Sequence, residues 1–214
     1  GTTAERVTQE FFIVRKEEKP RLLESVLEKH YGSTIVFTRT KHGATRIMRA
    51  IKSMGHTAAE IHSNRSLSQR REALEGFKAG KYRVLVATDI AARGIDVKGI
   101  ELVLNYDLPS TSEDYVHRIG RTARAGAEGH AISFAEPAQR RDIRDIERLI
   151  RMPIPYSETP ALPPARAAAP GQYEEPERSF RSSRPFQRSG PSRSPYSNRG
   201  PRREPPFARN AGRR

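Results

Sequence analysis

The sequence predicts an α/β domain, a mostly parallel sheet flanked by helices on both faces, followed by a disordered C-terminal tail. Three observations carry this. Short apolar runs alternate with segments of helical period across residues 7–151. Most of those runs are rich in Val, Ile and Leu without polar alternation, as strands covered on both faces are. The composition then changes abruptly after Tyr156.

Residues 9–14 (QEFFIV) read as the first strand and 20–30 (PRLLESVLEKH) as a helix, with Pro20 in the first turn, where its missing N–H costs nothing. STIVFT (33–38) is a buried strand. The helix after it has Thr40 as its N-cap and Gly55 as its stop. TAAEI (57–61) is a short strand, and a helix runs from Ser66 to a stop at Gly80. RVLVAT (83–88) is the most strand-like run of the chain, and ELVLNY (101–106) is another. A helix over 112–119, a strand in HAISF (130–134) and a helix over 138–151 complete the pattern. Strands separated by helices return to the sheet through right-handed crossovers.

Of 214 residues, 39 are Lys or Arg and 25 are Asp or Glu, so the chain carries +14 and suits a polyanionic partner. Residues 157–214 hold 12 Arg, no Lys, 5 Glu and 11 of the 16 Pro, and Leu162 is their only Leu, Ile, Val or Met. Such a segment buries too little apolar area to offset its chain entropy. Residues 1–156 are therefore expected to form one domain and 157–214 a disordered Arg/Pro/Ser-rich tail, each carrying +7. The absence of cysteine excludes a disulfide framework, thiolate metal sites and cysteine nucleophiles, and fits a cytoplasmic protein. No run approaches the roughly 18–20 apolar residues of a membrane span, and the N-terminus lacks a signal-peptide layout. Neither membrane nor secretion is expected. The start at Gly1, without an initiating Met, suggests a piece of a longer protein.

In a parallel α/β sheet, ligands gather at the carboxyl ends of the strands. Three polar loops follow strands there: Thr38-Arg39-Thr40, His62-Ser63-Asn64-Arg65, and the long stretch from Thr88 to Asp96. Any one is ordinarily a solvated loop; three on one edge point to a binding edge. Residues 115–126 pack His117, Arg118, Arg121 and Arg124 around Gly120, with no acid between His117 and Gly126. Charge so concentrated is expected to seek an anion. Arg121 and Arg124, three apart, project to one side of a helix or turn and can clamp one phosphoryl group with planar forks, the geometry of an arginine finger. His30, His42, His56, His62 and His130 show no metal-ligand spacing and read as structural or solvated; Phe37 and Tyr115 read as packing residues.

In that order and spacing, IVFTRT (35–40), residues 62–70, VLVATDIAARGID (84–96) and HRIGRTARAG (117–126) resemble motifs IV, IVa, V and VI in the second RecA-like domain of DEAD-box RNA helicases. The likeness covers residues 7–150. Related helicases usually carry Gln at the position of His117, which favours the DEAD-box branch. The resemblance implies that Arg121 and Arg124 reach the γ-phosphate of ATP and stabilise charge in the hydrolytic transition state. It implies that Asp96 accepts from the ribose hydroxyls, with Gly94 and His117 also in the nucleotide set, and that His117 couples nucleotide to RNA. Arg70, Thr88 and Arg39 would hold RNA phosphates without reading bases.

Two positions depart from the family pattern. Leu67 stands where motif IVa usually has Gln, which weakens an RNA or interdomain contact, and Ala123 replaces a frequent Gly. No Walker A pattern is present, since Gly80-Lys81 is followed by Tyr82, and there is no D-E-A-D tetrad. ATP and its Mg2+ would thus be held by an N-terminal RecA-like domain absent from this chain, and the chain alone is expected to be inactive. The tail resembles that of RhlE-type bacterial members. Its dispersed Arg, with Phe180, Phe186, Tyr196 and Phe207, suit an RNA tether, and recruitment of RNA-decay or ribosome-assembly proteins is the alternative.

Overall fold

The computed structural model describes residues 6–93, 95, 97, 99–122 and 129–165. In chain order these form β1 (Val7–Ile13), α1 (Lys19–Lys29), β2 (Thr34–Phe37), α2 (Lys41–Ser53), β3 (Ala58–Ile61), α3 (Leu67–Lys78), β4 (Val84–Ala87), α4 (Asp89–Ala92), β5 (Leu102–Asn105), α5 (Ser112–Ile119), β6 (Gly129–Ala135), α6 (Arg140–Ile150) and β7 (Tyr156–Ser157). The sheet order is β3-β4-β2-β5-β6-β1-β7, and every pairing is parallel. The expected α/β architecture is thus the observed one.

The central strands β2, β4 and β5 are buried at every position, which is why they read as unbroken apolar runs. Successive side chains go to opposite faces. Ile35, Leu85 and Val103 enter a cluster closed by Phe77 of α3, Tyr115 and Ile119 of α5, and Ile143 and Ile146 of α6. Val36, Val86 and Leu104 enter a second cluster, closed by Leu23 and Leu27 of α1 and Ile47 and Ile51 of α2. The helix ends follow local chemistry. The Thr40 hydroxyl accepts from the Gly43 N–H at 3.0 Å, Ser66 and Gln69 form a reciprocal capping box, and the chain turns with φ of 90° at Gly55 and 74° at Gly80.

Three elements differ from the sequence expectation. Asp89–Ala92, within a stretch read as loop, forms the single helical turn α4. Pro137–Gln139 forms a 3-10 turn, so α6 begins at Arg140 rather than 138. The two-residue β7 pairs with Phe11 and Phe12 of β1 across the composition break at Tyr156, the Phe11 N–H donates to the Pro155 carbonyl at 2.9 Å, and Leu162 packs against the second cluster. Tertiary pairing places β7; two residues after a proline carry no periodicity of their own.

At the amino edge of the sheet, His30 after α1 meets His130 of β6 edge to face, with ring centroids 5.1 Å apart, and His130 Nε2 lies 2.9 Å from Glu10 Oε1. Burial, then the neighbouring His130, holds His30 below the ordinary histidine range. The folded state thus binds this proton more weakly than the unfolded chain, so stability falls as pH drops below the unfolded value and levels off beneath the folded one. Urea midpoints measured from pH 8 to 5 are expected to decline more steeply for the wild-type chain than for His30→Gln; parallel declines would remove His30 as the cause.

Candidate functional site

The carboxyl edge is organised by a buried arginine. Thr111 caps α5 by accepting from the Asp114 N–H at 3.2 Å, and the helix turns Tyr115, Arg118 and Ile119 inward, three and four residues apart. Arg118 is 2% exposed. Its Nε donates to Asp89 Oδ1 at 2.5 Å and its Nη2 to Asp89 Oδ2 at 2.7 Å, a two-point fork. Its Nη1 donates to Asn105 Oδ1 at 3.1 Å and to the Asp107 carbonyl at 2.7 Å, and the guanidinium stands 4.9 Å from the Phe37 ring centroid. Asn105 donates onward to Ser133 at 2.9 Å. One side chain from α5 thereby ties together the ends of β2, β4 and β5, and reaches β6 through Asn105. Within the basic cluster around Gly120, which has no acid nearby in sequence, Arg118 finds its anion inside the protein, in Asp89, 29 residues earlier.

Beyond Arg118 opens a cleft of about 200 Å3 lined by Asp89, Arg93, Asp114, His117, Arg118 and Arg121 among others. Arg121 is oriented by backbone, its Nη1 donating to the Ile95 carbonyl at 2.7 Å and its Nε to the His117 carbonyl at 3.2 Å. His117 is exposed, with Nδ1 3.8 Å from Asp114 Oδ1, and Arg93 pairs with the same carboxylate oxygen at 3.5 Å. The Thr122 hydroxyl donates to the Ile100 carbonyl at 2.5 Å, which anchors the segment beyond Arg121. The structure therefore brings His117 and Arg121 to one cleft. That cleft is smaller than the roughly 300–1,000 Å3 of a pocket that encloses a ligand by itself. Among the described residues, no group of three His, Asp, Glu or Cys could hold a metal ion. Arg124, Asp96, Gly94 and Ala123, and the tail from 166 onward, lie outside the described residues.

The three candidate RNA-phosphate residues lie on the segments that follow the neighbouring strands β2, β3 and β4. Arg39 is exposed after β2; its N–H donates to Asp107 Oδ2 at 3.1 Å and its Nη2 to the Leu108 carbonyl at 3.3 Å. Asp107 is held in turn by Lys19 Nζ at 3.3 Å, a buried ammonium that also reaches Glu136 at 3.2 Å. Thr88 is the N-cap of α4, yet its side chain makes no capping bond. Arg70 of α3 donates from Nη2 to the Ala91 carbonyl at 3.3 Å, joining α3 to α4. Leu67 is 83% exposed at the start of α3.

In the polar 62–65 loop, Arg65 is paired with the buried carboxylate of Glu60. His62 is buried, and its Nδ1 accepts from the Asn64 N–H at 3.2 Å, which leaves Nε2 to donate to Glu60 Oε2 at 3.1 Å. Burial alone would raise the Glu60 carboxyl; Arg65, Thr45 and His62 outweigh it and hold the group below the usual carboxylate range. Sequence reasoning missed the structural roles of Arg118 and Lys19. For Arg118 a signal existed: Asp89, an acid set directly behind the apolar run of β4, next to a cluster of arginines without acids.

A seven-stranded, all-parallel sheet flanked by helices, with its polar side chains gathered at the carboxyl edge, is a RecA-like α/β domain. The helicase conserved C-terminal domain family matches residues 18–126. The chain is 42% identical to the ATP-dependent RNA helicase DbpA of Bacillus subtilis over 162 residues, which cover 75% of this chain and 34% of that protein. Among solved structures it resembles the E. coli DEAD-box protein SrmB bound to regulator of ribonuclease activity A, with a TM-score of 0.67, 31% identity, and 74% and 98% of the two chains covered. It also resembles S. cerevisiae Dbp5 bound to RNA and ADP BeF3, with a TM-score of 0.67, 30% identity, and 72% and 42% covered. The chain belongs to the DEAD-box ATP-dependent RNA helicases, in which it corresponds to the C-terminal helicase domain. It spans about a third, or less, of the length of the curated relatives it matches.

Replacing Arg118 leaves the Asp89 carboxylate and the Asn105 side chain without their main partner. Arg118→Ala is expected to destabilise the chain by about 3 kcal/mol, the lower end for breaking a buried ion pair because Asp89 keeps some solvent contact. Urea denaturation measures this, and Arg118→Lys should recover little, since an ammonium cannot make the two-point fork.

Proposed function

We propose that this chain is the C-terminal half of an ATP-dependent RNA helicase, which binds RNA backbone and supplies arginine fingers to ATP held on an N-terminal RecA-like domain. The observation that carries the reading is the shared cleft of Arg121 and His117, oriented by backbone and rigidly backed by the Arg118–Asp89 pair. A guanidinium aimed before ATP arrives needs little reorganisation when charge develops on the transferring phosphoryl group. Arg124 acts beside Arg121. Asp96 accepts from the ribose hydroxyls, Gly94 belongs to the nucleotide set, and His117 links the nucleotide to the acidic motif of the N-terminal domain, which also holds Mg2+.

Arg39, Arg70 and Thr88 contact phosphates on neighbouring strand ends, so binding is independent of base sequence. Closure of two domains around ATP and RNA bends one strand and opens a short duplex; hydrolysis and release reopen the cleft. The domain occupies 1–156, with β7 and Leu162 extending its packing, and the Arg-rich remainder tethers RNA or recruits RNA-decay or ribosome-assembly proteins. A cysteine-free chain with RNA as partner fits the cytoplasm, and among the described residues no helix is long and apolar enough to cross a membrane.

Fused to a DEAD-box N-terminal domain, the chain is expected to show RNA-stimulated ATP hydrolysis that falls by roughly 10³–10⁵ in Arg124→Ala or Arg121→Ala, with RNA affinity retained. Undiminished hydrolysis would sink the finger assignment. For the tail, RNA affinity of 1–165, which keeps β7 and Leu162, is expected to be weaker than that of 1–214 and to depend less steeply on salt. Equal affinities and slopes would leave the tether without support.

A further inference from the structure

Helix α6 bears Arg140, Arg141, Arg144 and Arg148, with Arg151 at its C-cap, and all five are exposed. At about 100° per residue, Arg140, Arg144 and Arg148 fall within roughly 80° of one another, with Arg141 beside them, and Arg151 follows as a left-handed C-cap with φ of 58°. Ile143, Ile146 and Ile150 turn the other way, into the core. Of the carboxylates of the helix, Glu147 falls at the edge of this stripe and Asp145 meets Arg148, while Asp142 lies away from it. Asp142 accepts from Gln139 at 3.3 Å, Glu147 accepts from the Ile154 N–H at 2.9 Å, and Asp145 pairs with Arg148 at 2.9 Å. Among the described residues, Arg140, Arg141, Arg144 and Arg151 have no ion pair.

Local stability does not account for the arrangement. Arg140, Arg141 and Arg144 occupy the first five positions of α6, where the positive end of the helix disfavours cations. An external anion would relieve that repulsion. The helix rise sets Arg140, Arg144 and Arg148 about 6 Å apart, a row suited to a repeating polyanion rather than to one point ligand. The row also begins at the right place. α6 follows β6 and so starts at the carboxyl edge, two strands along from β2, which carries Arg39.

Charge and surface chemistry select the occupant. The chain's own tail, with 12 Arg against 5 Glu, has the same sign and is repelled. A membrane-surface helix needs an apolar face to insert, and on α6 only Leu149 is an exposed large hydrophobic. We propose that the arginine face of α6 is a second contact for the RNA backbone, outside the cleft and outside the segments of Arg39, Arg70 and Thr88. The proposal rests on the RNA-binding reading given above and adds a separate site to it.

Binding of a single-stranded oligouridylate to the 214-residue chain, titrated over a series of salt concentrations, tests it. Each phosphate contact contributes about 0.7 to the slope of log affinity against log salt, so R140Q/R144Q/R151Q is expected to flatten the slope by about 2 and weaken binding roughly tenfold or more at low salt. R140K/R144K/R151K should retain the slope. All six substitutions are at exposed positions, and circular dichroism confirms the fold. Unchanged slope and affinity in the Gln variant, with binding lost in R39Q/R70Q, would overturn the α6 site and leave the site of Arg39 and Arg70 standing. No RNA binding by the wild-type chain would overturn both. Capture on phosphatidylserine vesicles that the Gln variant loses, with RNA binding unaltered, would assign the face to a membrane and overturn the proposal.

Discussion

The ion pair between Arg118 and Asp89 is the constraint on which the carboxyl edge depends. In a parallel sheet the strand ends converge on the side where ligands bind, and nothing in the backbone ladder alone fixes the loops that leave them. A guanidinium with five donors in one plane can address several loops at once. Here it holds a carboxylate after β4, an amide at the end of β5 and a carbonyl just past it, with its face toward the Phe37 ring at the end of β2. The helix that delivers it also delivers His117, with Arg121 just beyond its last turn. The cleft is thus built from groups that share one anchor.

Buried charge recurs along this edge in place of apolar packing. Lys19, Asp107 and Glu136 join α1 to the ends of β5 and β6, while Glu60, His62 and Arg65 join the end of β3 to its loop. Desolvation makes such groups expensive when unpaired, which favours the single arrangement that satisfies them all. At the amino edge His30 packs on the ring of His130, and His130 in turn meets Glu10 of β1, which also accepts from Ser157.

Much of this was legible in the sequence, for identifiable reasons. Strands buried on both faces must be apolar throughout, so β2, β4 and β5 announce themselves, and Thr40 and Ser66 mark helix starts because their side chains cap them. What escaped is non-local. α4 is four residues long, and β7 is two residues held by pairing with β1. Arg118 looks like its neighbour Arg121 in the sequence, yet one is buried against Asp89 and the other is held at the cleft by backbone carbonyls. Arg65 reads as one residue of a polar loop, and only the fold shows that β3 places Glu60 beside it. Periodicity reports which way a residue faces on its own element, and it is silent about what arrives there from elsewhere in the chain.

The size of the cleft has a consequence for energetics. Arginines lining an open hollow of about 200 Å3 offer a nucleotide only one wall. On the proposed reading the second wall belongs to another domain, so affinity for ATP is not stored in either half but arises when the two meet. The quantity that sets it is then the local concentration of one half around the other, which the length and stiffness of their connection determine. A change in that connector would retune nucleotide response without altering any residue that touches the nucleotide.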